Sequence, residues 1–336
     1  MSYNVVVSAR LGPYESLAGL LASAGCAVRR LPVEAHQWTP DLIARFCPDA
    51  DAYVGMFNGI RIPAEVLEAS PRLKVVTSPI IGTEHIDVAK ATELGVVVAH
   101  GAAAENFIGM AEAAVMLIAA LRKQLLPKMR TLAEGTWRPT PLGGMVSGST
   151  VGLIGFGNIG RTVARMLAPW NCRMLVADPY VKADVVQGHG AALVSMDTLL
   201  AESDTVVVMV TLSKETYHLV DAAAIAKMKA GASLINIGRG GCVDEAALLA
   251  ALESGRLSGA GIDTWETEPL PAGDPLLRHP RVIGTGHAVG HSEELYAKMP
   301  GVALENTMRA LRGETPLHVR NPEVLERWRT RMAALA

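Results

Sequence analysis

Short runs rich in valine, isoleucine and leucine alternate with helix-patterned stretches along nearly all of this 336-residue chain. Runs of that kind read as strands buried on both faces. Spaced by helices, they build parallel sheets covered on either side, an α/β architecture of doubly wound parallel sheets. One series comprises Asn4–Ser8, Ala52–Met56, Leu73–Ser78 and Val96–Ala99. A second comprises Thr150–Gly155, Arg173–Ala177, Thr205–Val210, Ser233–Ile237, Gly259–Asp263 and Val282–Gly284. Helices are predicted over Glu15–Ala24, Ala64–Ala69, Ile159–Leu167, Met196–Glu202, Ala222–Met228 and Glu245–Ser254.

The length suits two domains. A loop rich in glycine, proline and serine, Arg138–Ser149, leads into the second series, which stops near Gly290; the tail beyond Glu293 is helical and more charged. The expected layout is a central domain, residues 101–290, within a domain made of residues 1–100 and 291–336. With hydrophobic residues at 50% and charged residues at 19%, the chain is not intrinsically disordered. A formal net charge of −2 argues against wholesale binding to nucleic acid or anionic membranes. Cys26, Cys47, Cys172 and Cys242 form no C-x-x-C pair, so neither a disulfide framework nor a zinc site is expected, and no metal is. The start, Met1-Ser2-Tyr3-Asn4, lacks the basic segment of a signal peptide. The most apolar helix, about Phe107 to Leu121, carries Glu112 and reads as too short to span a bilayer. A soluble, cytoplasmic protein is the expectation.

Gly155, Gly157 and Gly160 form a G-x-G-x-x-G turn between an apolar strand and an amphipathic helix. The first glycine allows the tight turn, the second a close approach to a pyrophosphate, the third tight helix–strand packing. The helix N-terminus adds free N–H groups and partial positive charge. After the next strand comes Asp178, placed to accept hydrogen bonds from the adenosine ribose and to repel a 2′-phosphate. NAD is therefore expected over NADP.

Three more segments follow later strands, at the sheet edge where open α/β folds bind ligands. In Asn236-Ile237-Gly238-Arg239-Gly240-Gly241, a guanidinium is available to grip a carboxylate and polarise a carbonyl. Gly261-Ile262-Asp263-Thr264-Trp265-Glu266-Thr267-Glu268-Pro269 supplies carboxylates. Thr285-Gly286-His287-Ala288-Val289-Gly290-His291 supplies an imidazole, which a carboxylate neighbour turns into a candidate proton donor.

These segments, with Gly82-Thr83-Glu84-His85-Ile86-Asp87 and Met110-Ala111-Glu112, resemble the D-isomer-specific 2-hydroxyacid dehydrogenase family over nearly the whole chain. The resemblance implies a Rossmann NAD-binding domain inserted into a flavodoxin-like substrate domain. It implies Arg239 as the substrate-binding arginine, Glu268 as the acid paired with the catalytic histidine, and His287 as the general acid/base. Glu266 stands two residues before Glu268; the family pattern puts the acid directly before the proline, which selects Glu268. Ile80, Ile81 and Gly82 correspond to the loop whose amides bind the substrate carboxylate, and Asp263 to the residue near the nicotinamide carboxamide. Further cofactor contacts are implied for Asn158, Ile159, Thr211, Thr216, Ile237, His287 and Gly290. So is a homodimer, its arm running from about Leu121 to Met145.

Departures from the family pattern narrow the reading. Gly286 replaces the usual proline before the histidine. Ile81 stands where phosphite dehydrogenases carry a lysine, the Asn and Gln pattern of formate dehydrogenases is not found, and the C-terminal regulatory domain of many phosphoglycerate dehydrogenases is not expected. Ile80 and Ile81 suggest an aliphatic wall for a small or apolar 2-substituent. A distal phosphate or sulfonate would need a second cation, for which Arg10, Arg61 and Arg138 are the candidates. His291 is a candidate neighbour of cofactor or substrate. The family also contains NAD(H)-sensing corepressors, a second reading that the complete Arg239/Glu268/His287 set disfavours without excluding. The order and spacing of that set speak against an alanine dehydrogenase or a homocysteine-releasing hydrolase.

Overall fold

The computed structural model describes residues 2–8, 15–35, 37–55, 60–138 and 142–335. They form two compact units: Met1–Glu105 with Ser292–Ala336, and Asn106–His291. The unit boundaries therefore fall at 105/106 and 291/292, where the sequence suggested 100/101 and 290/291.

The terminal unit is a five-stranded sheet of β1 (Asn4–Val7), β2 (Ala27–Arg30), β3 (Ala52–Val54), β4 (Val75–Ser78) and β5 (Val97–His100). Every pairing is parallel and the order is β2-β1-β3-β4-β5, the order of flavodoxin-like folds. Side-chain alternation along β1 shows why both faces must be covered. Val5 and Val7 pack with Leu17, Leu295, Met299 and Trp328, and Val6 with Phe46, Leu67 and Ile86. The C-terminal segment belongs here because its helix Glu293–Leu311 buries Leu295, Met299 and Ala303 on this sheet. Polar ties fix it further: Thr307 Oγ1 to Thr77 Oγ1 (2.9 Å), Val98 N–H to Asn321 Oδ1 (2.9 Å) and Trp328 Nε1 to the Lys74 carbonyl (3.0 Å).

The central unit has seven parallel strands: β6 (Thr150–Ile154), β7 (Arg173–Ala177), β8 (Ala192–Leu193), β9 (Thr205–Val208), β10 (Ala232–Asn236), β11 (Leu257–Ile262) and β12 (Val282–Gly284). Their order is β12-β11-β10-β9-β6-β7-β8. Counted from β6, this is the Rossmann order 3-2-1-4-5-6 with one strand added. The order reverses at β6, beside β9, which puts a ligand crevice at the C-terminal end of β6.

Two strands escape the sequence pattern. β2 is an edge strand, partly exposed and ending in Arg29-Arg30, and β8 is two residues long on the opposite sheet's edge. Edge strands bury one face or less and lose the continuous apolar run. The apolar helix is longer than its sequence suggested. It spans Ala104–Arg122, 19 residues, with mean hydropathy 1.5, long and apolar enough to cross a membrane by length and composition. Its Ala111, Ala114, Leu117, Ile118 and Leu121 pack into the central unit's core.

Burial pushes the imidazoles of His85 and His100 down to about 4. The stacked His318 ring, 5.9 Å away, adds to the effect at His100. In the unfolded chain a histidine titrates near 6.5. Acidification therefore loads protons on the unfolded state first. Stability is full above pH ~6.5 and is lost as pH falls toward ~4, by about 1–3 kcal/mol after discounting for partial exposure. Melting temperatures at pH 7 and pH 4.5 check this: His100→Asn should lose less than the parent protein on acidification.

Candidate active site

The glycine turn closes β6. Gly155 has φ +95°, a left-handed conformation that costs glycine little, and a Cβ there would stand 2.9 Å from Val210 Cγ1. A Cβ on Gly160 would lie 2.7 Å from the Gly155 carbonyl oxygen, so the helix Asn158–Leu167 sits tight on the turn. A Cβ on Gly157 meets nothing within 4 Å; the backbone there faces open space. Asp178, one residue beyond β7, is locked beside this turn: Oδ2 accepts from the Phe156 N–H and Oδ1 from the Tyr180 N–H, both at 2.8 Å.

A cavity of about 840 Å³ opens here, lined by Gly155, Gly157, Asp178, Thr211 and Thr216. Pro179, Val194 and Met196 add apolar wall. None of these three carries a polar signature in the sequence that would mark it as part of a site. Thr216 holds the lining loop together, donating from Oγ1 to the Thr211 carbonyl at 2.7 Å and accepting from the Ser213 N–H at 2.7 Å. Four implied contacts sit differently. Ile237 is 4% exposed with its side chain in the core, Gly290 is buried against Met110, and Ile159 packs partly on the core. Asn158 is exposed at the first helical turn.

At the ends of β10, β11 and β12 the three other segments converge. Asn236 braces the Arg239 turn, accepting from the Gly238 N–H (3.2 Å) and donating to the Arg239 carbonyl (3.0 Å). Arg239 Nη1 donates to the Gly238 carbonyl at 2.8 Å. His287 Nδ1 lies 2.8 Å from Glu268 Oε2. An ionised carboxylate only accepts, so Nδ1 carries the hydrogen and Nε2 is left for proton exchange. Glu268 is itself aimed, its Oε1 accepting from the Trp265 N–H at 2.9 Å. The Trp265 indole donates to the Thr285 carbonyl at 2.8 Å, joining the glutamate loop to the histidine loop. His287 has φ +54°, a conformation non-glycine residues keep only where surroundings impose it.

Asp263 imposes it. This carboxylate is 1% exposed. Its Oδ1 accepts from the Thr285 hydroxyl (2.7 Å) and the N–H groups of Ala288 (2.8 Å) and Val289 (3.0 Å), and its carbonyl accepts from the His287 N–H (2.7 Å). Asp263 thus builds the histidine loop, a role no local sequence signal announced. Its Oδ2 is buried without a hydrogen-bond partner among the described residues. Burial holds the His291 imidazole below its ordinary range; the Asp263 carboxylate opposes this and the His287 ring reinforces it. A Cβ on Gly286 would meet nothing within 4 Å, so no contact demands glycine before His287.

In the terminal unit the Ile80–Gly82 loop leaves β4. It is pinned where Ser78 Oγ donates to the Gly82 carbonyl (2.8 Å) and the Gly101 N–H donates to the Ile80 carbonyl (3.2 Å). Ile80 packs partly on that unit's core. Arg61 Nη2 donates to the Glu84 carbonyl at 3.2 Å, in the same loop's continuation. Arg138 is exposed, and Arg10 lies outside the described residues, as do Met56, Asn58 and Gly59.

A Rossmann sheet with a glycine turn, a ribose-side aspartate and an imidazole–carboxylate pair defines a nucleotide-dependent oxidoreductase. Comparison with known proteins makes the class specific. The profile of the D-isomer specific 2-hydroxyacid dehydrogenase NAD binding domain matches residues 115–289. A glyoxylate reductase of Korarchaeum cryptofilum is 36% identical over 285 residues, 83% of this chain and 85% of that protein. A D-3-phosphoglycerate dehydrogenase of Archaeoglobus fulgidus is 35% identical over 262 residues, 78% of this chain and 49% of that protein. The crystal structure of a glyoxylate reductase from Paecilomyes thermophila superposes with a TM-score of 0.84 at 27% identity, covering 96% of this chain and 99% of that one. The chain belongs to the D-isomer-specific 2-hydroxyacid dehydrogenase family and is an NAD-dependent oxidoreductase.

The residues present fit the dinucleotide. Gly157 presents bare backbone to the open space of the cavity, Asp178 holds a fixed carboxylate, and Asp263 Oδ2 is a buried acceptor wanting a donor such as a carboxamide.

Proposed function

We propose that this protein reduces a small 2-oxo acid to its D-2-hydroxy acid, with Arg239, Glu268 and His287 as the working set. The observation that carries the reading is the 2.8 Å His287–Glu268 pair on a loop built by Asp263. Bound NADH supplies the hydride. Arg239 grips the carboxylate and polarises the keto group, and His287 Nε2 delivers a proton to the keto oxygen. Glu268 keeps the imidazole in the donating orientation. The aliphatic Ile80 and Ile81 favour glyoxylate, hydroxypyruvate, pyruvate or a short apolar 2-oxo acid over phosphohydroxypyruvate and 3-sulfopyruvate. No observation favours the corepressor reading.

The test is NADH oxidation followed by absorbance across those acids, each repeated with NADPH. Turnover on one small acid, with NADH preferred because Asp178 repels a 2′-phosphate, is the expected result. Absence of turnover on every acid despite tight NADH binding would refute the reductase reading.

We also propose a homodimer. The helix Leu125–Ala133 buries none of its residues. It exposes Leu125, Met129 and Leu132 along one face, and Trp137 (78% exposed) and Leu142 (83%) follow. An apolar run this open marks an association surface. Sedimentation velocity should give a dimer for the parent protein and a shift toward monomer for Met129→Asp with Leu132→Glu.

A further inference from the structure

The loop that carries Glu268 is held from a second side, by residues outside the working set. His218 Nε2 lies 2.7 Å from Glu266 Oε1, a second imidazole–carboxylate pair two residues before the first. Glu266 Oε1 also accepts from the Glu245 N–H at 3.3 Å, and Glu245 Oε1 accepts from the Glu266 N–H at 2.8 Å. The loop is thereby stitched to the first residue of the helix Glu245–Glu253.

His218 reaches the other arm of the site with its backbone. Its N–H donates to the Gly241 carbonyl at 2.8 Å, two residues past Arg239. Its φ is +47°, left-handed for a non-glycine residue, and its ring lies flat on Tyr217 with centroids 4.0 Å apart. Such a conformation costs of order 1 kcal/mol or more and persists where contacts on both sides impose it. The two arms already touch: a Cβ on Gly240 would stand 1.9 Å from the Trp265 carbonyl carbon. Charge supplies the reason for an imidazole. Burial and the carboxylates of Glu266, Asp274 and Glu268 push the Glu245 carboxyl above its ordinary range, so this corner is crowded with acids. His218 Nε2 and the Glu245 N–H meet the same Glu266 oxygen, so losing the imidazole leaves the longer 3.3 Å amide bond to hold Glu266 among these acids, and only Thr267 separates it from Glu268.

We propose that His218 is a positioning residue: by pairing with Glu266 it locks the Glu268 loop against the Arg239 turn and so fixes the Glu268–His287 pair. This rests on the catalytic roles proposed above. It is tested with His218→Ala, His218→Gln, Glu268→Gln and the His218→Ala/Glu268→Gln double variant. Each is assayed for kcat, KM, NADH affinity by fluorescence, and melting temperature.

His218→Ala should lower kcat about 10–100-fold, the scale on which a misaimed catalytic group acts, with NADH affinity held within about twofold. His218→Gln, whose amide can still donate to Glu266, should recover most of the loss. In the Glu268→Gln background, His218→Ala should add little, because the geometry it protects is already gone. A loss that multiplies through undiminished in that background, or no loss at all, would overturn the proposal. A readout independent of turnover separates this from the assignment of function. The downfield proton resonance of His287 Nδ1–H, hydrogen-bonded to Glu268, should be sharp in the parent protein and broadened or shifted in His218→Ala. If no 2-oxo acid is turned over, the reductase reading fails and this resonance alone decides the positioning claim; an unchanged resonance in His218→Ala overturns it.

Discussion

Replacing His287 with alanine is expected to lower 2-oxo acid reduction by about 10²–10⁴-fold, the range typical of a lost general acid. NADH affinity should stay within a few-fold. Turnover needs a proton at the keto oxygen in step with hydride arrival, and an alanine leaves only water to supply it. The structure specifies how the loss should divide. His287 stands on a loop whose amides are satisfied by Asp263, so removing the ring leaves the loop's scaffold in place. The loss should therefore fall on kcat, with the melting temperature little changed, since the ring is half-exposed and, among the described residues, its side-chain bond is to Glu268. Stopped-flow absorbance under single-turnover conditions, with NADH prebound, reads the chemical step directly. Near-normal turnover would remove His287 from the mechanism.

The second large effect is expected at Arg239. Arg239→Lys should lower kcat/KM for a 2-oxo acid by about 10²–10³-fold, comparable to losing one preorganised donor to a developing oxyanion. Lysine keeps the charge and loses the planar fork that meets a carboxylate with two parallel bonds. Asn236 braces the turn through both ends of its amide, so the backbone should hold its course and the loss should belong to the head group. Because the same head group is asked to bind a carboxylate and polarise a carbonyl, KM should rise and kcat should fall together. A rise in KM with kcat intact would restrict Arg239 to binding.

Much of the fold was legible because parallel strands buried on both faces must be apolar on both sides. β6, β7, β9 and β10 announced themselves that way. β2 and β8 did not, since an edge strand needs no such run. The helix Ala104–Arg122 was read short at both ends, because the glutamate at 105 and the arginine at 122 look like loop residues in isolation. At the site, Gly155, Gly157, Gly160 and Asp178 were readable from spacing, since each answers a local demand of one turn or one strand end. Arg239, Glu268 and His287 were readable as chemistry-bearing residues at strand ends, and the pairing of two of them came from resemblance.

Residue order and local physical demands thus determined two parallel-sheet domains, a dinucleotide turn and a short roster of reactive side chains. Tertiary structure decided how those side chains are held and which further residues hold them. The family pattern selects Glu268 over Glu266, and the fold gives each its own imidazole: one lies 2.8 Å from His287 and the other 2.7 Å from His218. Asp263 became the builder of the histidine loop, and His218 became the tie between two arms separated in sequence. The physical reason is range. Apolar periodicity and glycine turns act within a few residues of one strand or helix, while a hydrogen bond between loops depends on where the parallel order of β9, β10, β11 and β12 sets their ends side by side.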